Sequence, residues 1–399
     1  MVAKHYAEIF RAAGSKGFSS AAFVGRLPMS MLGLGTILMI KESTGKYALA
    51  GVVSGTLALV QAFFGPFLAR LVDRRGQAEI VFPMLAVSVA ALVSLMLCVR
   101  FDEPTWSWFA SAALAGAFMP NVGALVRARW AKLYTGTPQL HTAYSFEAVM
   151  DEVVFMIGPI LVTFLTLQVH HEAGVGLATV LLALGTTAFL VQRGSQPAPH
   201  PPEHHTGPAA IAILGMRVVL VCAIAIGVMF GSVEVVTVAF AEEHGHSDWA
   251  GLLLAVYAGG SFIAGLFFGT VHWDLPLARR ILLLLALVLV TATPMALAPD
   301  IGVLALVLLL AGFAISPTLI TLVALVEDLV PAARLTEGMV IETTGAALGI
   351  TTGSAVAGWV IDRSGAHTAY LVPVAGSALA LLTALLGSRW LRPGDPAIE

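Results

Sequence analysis

Long apolar runs separated by short polar segments dominate the pattern of the 399-residue chain. A helix needs about 20 mainly apolar residues to cross the hydrocarbon core of a bilayer. Runs of that kind recur along the whole chain, and they predict an all-α membrane protein with twelve transmembrane helices. The predicted spans are 18–40, 47–70, 80–99, 106–127, 140–168, 173–192, 216–241, 250–272, 279–298, 301–326, 338–361 and 367–388.

The composition agrees with this pattern. Charged residues make up 11% of the chain and hydrophobic residues 58%, whereas a soluble domain carries about 25% charged residues. The two cysteines, Cys98 and Cys222, lie in separate apolar runs. Their spacing indicates neither a disulfide framework nor a metal site, and we expect no metal and no cofactor.

Lysine and arginine are distributed unequally between the two sets of loops. With a cytoplasmic N-terminus, the inside segments hold 16 of these residues and the outside loops 4. Positive residues are retained on the cytoplasmic side of a membrane. The bias therefore predicts that both termini are cytoplasmic.

A Pro- and His-rich segment, residues 193–210, interrupts the apolar pattern after the sixth span. It is too polar to pack and is typical of a flexible linker. A solvated cluster of its histidines is favoured over a metal site. The predicted parts are an interfacial helix (1–17), a six-helix bundle (18–192), the linker (193–215), a second six-helix bundle (216–390) and a cytosolic tail (391–399).

The two halves resemble each other weakly. "LAGAFMP" in the fourth span corresponds to "LAGFAISP" in the tenth. Glu147 precedes Gly158 by eleven residues in the fifth span, and Glu342 precedes Gly353 by eleven in the eleventh. Parallel repeats of this kind frame a binding site near the midplane in transporters.

The loop after the second span, "GPFLARLVDRRGQ", carries a resemblance to a known family. Gly65, Asp73, Arg74 and Gly76 match the signature loop of the major facilitator superfamily, while Ala69 stands where a glycine is usual. The resemblance implies two pseudo-symmetric bundles that work by alternating access, with this loop latching the halves in the outward-facing state. The start of the first span, "GRLPMSMLGLG", is similar to bacterial efflux members.

The resemblance implies a monomeric, multi-pass transporter of the cell inner (cytoplasmic) membrane. We expect export of a small amphipathic or cationic compound in antiport with protons, with the proton gradient as driving force and no nucleic-acid partner. The alternative is uptake or passage of a neutral solute such as a sugar. An enzyme is disfavoured because the spans contain no metal-binding His pair, and no P-loop or nucleophile elbow occurs.

Few ionisable residues lie inside the predicted spans. Each is unfavourable there by about 2.5–3.5 kcal/mol on insertion scales, and so marks a candidate functional site. These residues are Arg26, Glu147, Asp151, Glu152, Glu234 and Glu342.

Glu147 and Asp151 are four residues apart and share a helix face. Mutual repulsion favours retention of a proton on one of them. Arg26 lies at a similar depth, and a pair with either acid would offset the desolvation of both ends. The three residues form either a proton site or a static ion network. Glu152 points about 100° away from Asp151.

Three further features of the spans complete the candidate site. Glu234 is expected near the outer side and Glu342 at the position equivalent to Glu147. "IGP", which contains Gly158 and Pro159, partly resembles the fifth-helix motif of antiporters and predicts a bend. Arg127 and Arg129 are expected to be cytosolic flank charges, with the alternative that Arg127 reaches inward.

Overall fold

The structure is a computed structural model that describes residues 8–134, 137, 139–199, 210–268, 275–330 and 335–391. These residues form α-helices, short 3-10 turns and loops, without a β-strand. The helices are α1 (Ser15–Thr44), α2 (Tyr47–Arg75), α3 (Gln77–Arg100), α4 (Thr105–Ala117), α5 (Val122–Tyr134), α6 (Gln139–Gln168), α7 (Ala173–Leu190), α8 (Leu214–Glu243), α9 (Ala250–Phe268), α10 (Leu277–Ala292), α11 (Ile301–Leu329), α12 (Leu335–Ala369) and α13 (Leu371–Gly387).

Eleven spans in the described ranges are long and apolar enough to cross a membrane. α4 and α5 together form one of them, Thr105–Tyr134, and α10 continues through a 3-10 turn to form Leu277–Leu297. The apolar helix α13 has 17 residues, which correspond to about 26 Å of helix. The predicted all-α membrane fold is confirmed, with the last of the twelve predicted helices shorter than the others.

We refer to α1–α7 as the first group of helices and to α8–α13 as the second. The groups also pack on each other, chiefly α12 on α2 and α9 on α6. In the first group α1 packs on α6 and α7, and in the second α8 packs on α12 and α13. Small residues allow this close approach of membrane helices. A Cβ atom added at Gly349 of α12 would lie 2.8 Å from the Cα of Gly227 on α8.

The two ends of the bundle differ in how the groups meet. We name the end that carries residues 193–199 the linker end, and the opposite end, which carries Gly45 and Glu242, the far end. The hydrogen bonds and ion pairs that we describe between the groups lie in the far half. Near the middle, Thr351 Oγ1 donates to the Gly55 carbonyl at 2.7 Å, and α6 meets α9 at Pro159 and Gly251.

At the far end itself, charged side chains join the groups. The Asp362 carboxylate accepts the backbone N–H groups of Tyr47 at 3.2 Å and Ala48 at 3.1 Å. It thereby caps the start of α2, whose first N–H groups have no partner within the helix. Lys41 and the Tyr47 hydroxyl both contact Glu242 of α8. The far end is therefore closed.

Residues 8–14, which precede α1, pack against the first group, while residues 1–7 of the predicted interfacial helix lie outside the described residues. Ile9 is fully buried, and its carbonyl accepts from the Tyr134 hydroxyl at 2.8 Å. The Phe10 ring lies 5.8 Å from Trp130 and 5.1 Å from Phe146 in edge-to-face geometry. Apolar side chains at the start of the chain thus add to the core of the linker end.

The start of the predicted linker is also held in place. Lys132 Nζ donates to the carbonyls of Gly194 at 3.0 Å and Gln196 at 2.8 Å. The linker histidines, at positions 200, 204 and 205, and the C-terminal tail beyond residue 391 lie outside the described residues. The flexible linker and the division into domains stay predictions.

The α8–α12 contact predicts a stability difference between two glycines. Gly349→Ala should lower the free energy of unfolding by about 1–3 kcal/mol, because the added methyl group would overlap the backbone of α8. Gly259→Ala is the matched control on α9, where an added Cβ would meet no atom within 4 Å. It should be neutral or stabilise the helix by up to about 1 kcal/mol. Thermal unfolding of the two variants in detergent measures this, and equal melting temperatures would contradict the predicted packing.

Candidate functional site: a buried charge network and unpaired carboxylates

Arg26 of α1 extends its guanidinium toward α6 and binds two carboxylates there. Nη2 donates to Glu147 Oε2 at 2.5 Å, and Nη1 donates to Asp151 Oδ1 at 2.7 Å. The two acids accept from one guanidinium because they are one helical turn apart on the same face. The Arg26 side chain is 1% exposed. A guanidinium buried to this degree requires such partners, since an unpaired buried charge is strongly unfavourable.

Glu147 is the fully buried acid of this network. Besides Arg26, it accepts from Trp130 Nε1 of α5 at 2.6 Å and from Ser19 Oγ of α1 at 3.4 Å. Three donors from two helices surround the carboxylate, which stabilises its charged form in a low-dielectric environment.

Asp151 occupies the exposed side and binds two arginines. Its Oδ2 accepts from Arg127 Nη2 of α5 at 2.6 Å, while Oδ1 accepts from Arg26. The Asp151 side chain is 22% exposed and that of Arg127 is 36% exposed. Two positive and two negative groups therefore balance, and Asp151 is the acid of the pair with the more exposed side chain.

The expectation that Arg127 and Arg129 are cytosolic flank charges is wrong. Arg127 belongs to the network, and Arg129 is fully buried. Arg129 donates to Gln77 Oε1 at 2.9 Å and Ser195 Oγ at 2.8 Å, and its guanidinium lies 3.6 Å from the ring centroid of Phe189. It joins α3, α7 and the linker start. Arg127 and Trp130 are three residues apart, a spacing that could have placed both on the face toward α6.

Three further acids differ from Glu147 and Asp151. Glu152, Glu234 and Glu342 are partly exposed, and in the described ranges none of them contacts a cationic group. Glu342 accepts a 3.3 Å hydrogen bond from the neighbouring Thr343 hydroxyl. The repeat position that Glu342 shares with Glu147 therefore does not give it the same surroundings.

The structure shows part of the predicted conformational loop. Gly76 joins α2 to α3 with a φ of 98°, a conformation that favours glycine. Arg74 is exposed, and an added Cβ at Gly65 would meet no atom within 4 Å, so Gly65 mediates no close helix contact in this conformation. The Asp73 side chain lies outside the described residues, and the latch stays a prediction.

The predicted bend motif lies inside α6. Gly158 packs against Ser30 and Met31 of α1, and Ser30 Oγ donates to the Val154 carbonyl at 2.8 Å. Pro159 lacks the N–H group that would donate to the Phe155 carbonyl. The close packing at Gly158 is observed, and the bend itself stays a prediction.

The network predicts coupling between Arg26 and Glu147. Glu147→Gln should destabilise the protein by about 3–5 kcal/mol, because it leaves the buried guanidinium short of one carboxylate. Arg26→Gln should have a similar effect. The double variant keeps the Arg127–Asp151 pair and a balanced charge, and it should lose less than the sum of the single losses. Thermal unfolding of the four proteins measures the coupling, and strictly additive losses would refute it.

Comparisons with known proteins agree with the fold. The model of the family "Major Facilitator Superfamily" matches residues 18–276 and 248–398, and no curated protein matches the chain. The nucleoside transporter NupG is similar at a TM-score of 0.71 with 13% identity, over 96% of this chain and 100% of that one. The human organic anion transporter MFSD10 (TETRAN) has a TM-score of 0.66 with 15% identity, over 96% and 100%.

A third similar structure is an auto-inhibited peptide transporter of the POT family, at a TM-score of 0.63 with 14% identity over 99% of each chain. At these identities the likeness concerns the fold. The family model covers nearly the whole chain, and the helices it matches are the ones that carry the charge network and the unpaired acids. The chain is a non-enzymatic membrane transporter that belongs to the Major Facilitator Superfamily.

Proposed function

We propose that the protein exports a small cationic or amphipathic compound in exchange for protons. The observation that carries this proposal is a charge imbalance inside the spans. Within the described residues, Arg26, Arg127 and Arg129 all have acceptors, whereas Glu152, Glu234 and Glu342 have no cationic partner. A carboxylate at membrane depth is stabilised by a proton or by a cation. Exchange of a cation for protons requires acids that bind a proton and a cation in turn.

Asp151 is the proposed proton site. It is the solvent-accessible acid of the network, and both of its oxygens accept charge-assisted hydrogen bonds. Protonation at Oδ2 removes the acceptor of Arg127 and weakens the tie between α5 and α6. Glu147 keeps Arg26 paired while this happens. The buried Arg26–Glu147 pair therefore keeps α1 and α6 together while Asp151 takes up the proton.

The closed far end supports alternating access. If the linker end is cytosolic, as the lysine and arginine bias predicts, this conformation gives the cytosol access to Asp151. The outward-facing state then requires separation of the Lys41–Glu242 and Asp362–α2 contacts. In the resemblance to the family, the loop of Gly65, Asp73, Arg74 and Gly76 latches that second state. We further propose that the protein works as a monomer in the cell inner membrane and that the proton gradient drives the export.

A second candidate is transport of a neutral solute without proton coupling. The observation that favours it is the saturation of the network, in which all four carboxylate oxygens of Glu147 and Asp151 accept from nitrogen donors at 2.5–2.7 Å. A network this complete can be purely structural. The fold alone does not choose between the two candidates, since the structurally similar proteins transport nucleosides, organic anions and peptides.

The two candidates predict different behaviour of Asp151→Asn. In proteoliposomes with an imposed pH gradient, the wild type should move lipophilic cations from a panel that includes ethidium and tetraphenylphosphonium. A trapped pH dye should report proton movement in the opposite direction. Asp151→Asn should reduce the gradient-driven flux at least tenfold and retain exchange of labelled for unlabelled substrate.

Glu103→Gln is the matched control, because Glu103 is an exposed acid in a loop at the far end. This variant should transport like the wild type. Full gradient-driven transport by Asp151→Asn would refute the proton site. Movement of a neutral solute that ignores both the gradient and this substitution would favour the second candidate.

A further inference from the structure

A carboxylate and an aromatic ring lie one turn apart on α8. Glu234 and Phe230 are separated by four residues, so they share a helix face, and both side chains are partly exposed. The Phe230 ring centroid lies 6.0 Å from that of Tyr257 on α9. Tyr257 is buried and its hydroxyl donates to the sulfur of Met229 at 3.6 Å. Tyr257 thus packs against Phe230, which lies on the same face of α8 as Glu234.

On another side of the Glu234 carboxylate lies the backbone of α1, which belongs to the first half of the protein. A Cβ atom added at Gly33 would lie 3.4 Å from Glu234 Oε1. Ser54 Oγ of α2 donates to the Gly33 carbonyl at 3.1 Å and fixes this part of α1. Met29, one turn from Gly33, is 51% exposed. The carboxylate of Glu234 therefore lies against the backbone of α1, with no side chain at Gly33 to separate them.

Glu234 lies well inside the membrane span. It is nine residues from the end of α8 at Glu243, which corresponds to about 14 Å along the helix axis. The described residues offer it no hydrogen-bond donor and no cation. It is separate from the Arg26 network, whose members all lie on α1, α5 and α6.

We propose that Glu234 and Phe230, on the face of α8 next to Gly33, bind the positively charged group of the substrate, an organic monocation with an apolar body. The carboxylate supplies the counter-charge, and the face of the Phe230 ring attracts a cation that has shed its water. Methionine side chains such as Met29 adapt to apolar bodies of different shape. This assignment rests on the proposed transport of cationic compounds and adds to it a recognition site distinct from the proton site.

The test compares a cation with its neutral isostere on the purified full-length protein in detergent. Benzyltrimethylammonium and neopentylbenzene have the same shape and differ in charge, and ethyl to butyl analogues of the cation extend the series. The wild type should bind at least one of the cations tightly. Glu234→Gln should weaken binding of that cation at least tenfold and leave binding of the neutral isostere unchanged, while Glu234→Asp should retain most of the affinity.

Substitutions at two further positions examine the surroundings of Glu234. Phe230→Leu should weaken cation binding several-fold, and Phe230→Tyr should keep the affinity because the aromatic face is retained. Gly33→Val should weaken binding of both the cation and the isostere, because its side chain would lie against the Glu234 carboxylate and cover it. Glu103→Gln again serves as the control with unchanged affinity, and thermal unfolding of each variant verifies that it is folded. Glu234→Gln should fold as stably as the wild type, because it removes an unpaired charge.

The outcomes separate this site from the proposed function. Unchanged cation affinity in Glu234→Gln, or a wild type that binds none of the cations, overturns the site. If Asp151→Asn still abolishes proton-coupled transport in that case, the proposed function stands without the site. Cation binding that depends on Glu234, in a wild type that exchanges no protons, supports the site and overturns the proton antiport.

Discussion

The burial of the Arg26 guanidinium constrains the whole first half of the protein. A positive charge that is 1% exposed at this depth requires acceptors on the neighbouring helix, and α6 supplies two of them one turn apart. Trp130 then binds the remaining oxygen of Glu147, and Arg127 binds that of Asp151, so α5 is drawn against α6 as well. The contact continues along α1 through Ser30 and Gly158. One ionic interaction thus sets the relative positions of three helices.

The second half is held together without such a charge network. There α8 and α12 approach so closely that backbone atoms meet at glycines such as Gly227 and Gly349. Close packing of this kind needs no charge, and Glu234 and Glu342 are left without a cationic partner in the described ranges. The repeat in the sequence therefore conceals a chemical difference, because Glu147 of the first half is paired with Arg26, whereas Glu342 at the corresponding position of the second half has no cationic partner in the described ranges.

Hydropathy predicts most of the fold, since the bilayer requires long apolar helices whatever their order. The Arg26 pairing could also be predicted, because the depth of Arg26 and the four-residue spacing of the acids are visible in the sequence. The apolar pattern does not predict the positions of Arg127 and Arg129, because the helix in their span is interrupted near Pro120 and a new helix begins at Val122. The new helix runs to Tyr134, so both arginines lie inside it rather than at its flank. The contacts of Glu242 with Lys41 and Tyr47 join residues about two hundred positions apart, and no local pattern indicates them.

The positions of the two proposed sites relative to the halves suggest how they are coupled. The proton site lies wholly within the first half, and a rocking motion of the halves changes its access to solvent more than its geometry. The cation site lies between the halves, with Glu234 on α8 and Gly33 on α1. α8 also carries Glu242, which closes the far end against Lys41. If separation of that contact carries α8 away from α1, Glu234 loses its neighbour Gly33 and the proposed cation site loses one of its two sides. In this proposal a cation is held most tightly in the conformation described here, and the change that exposes it to the far end also weakens its binding.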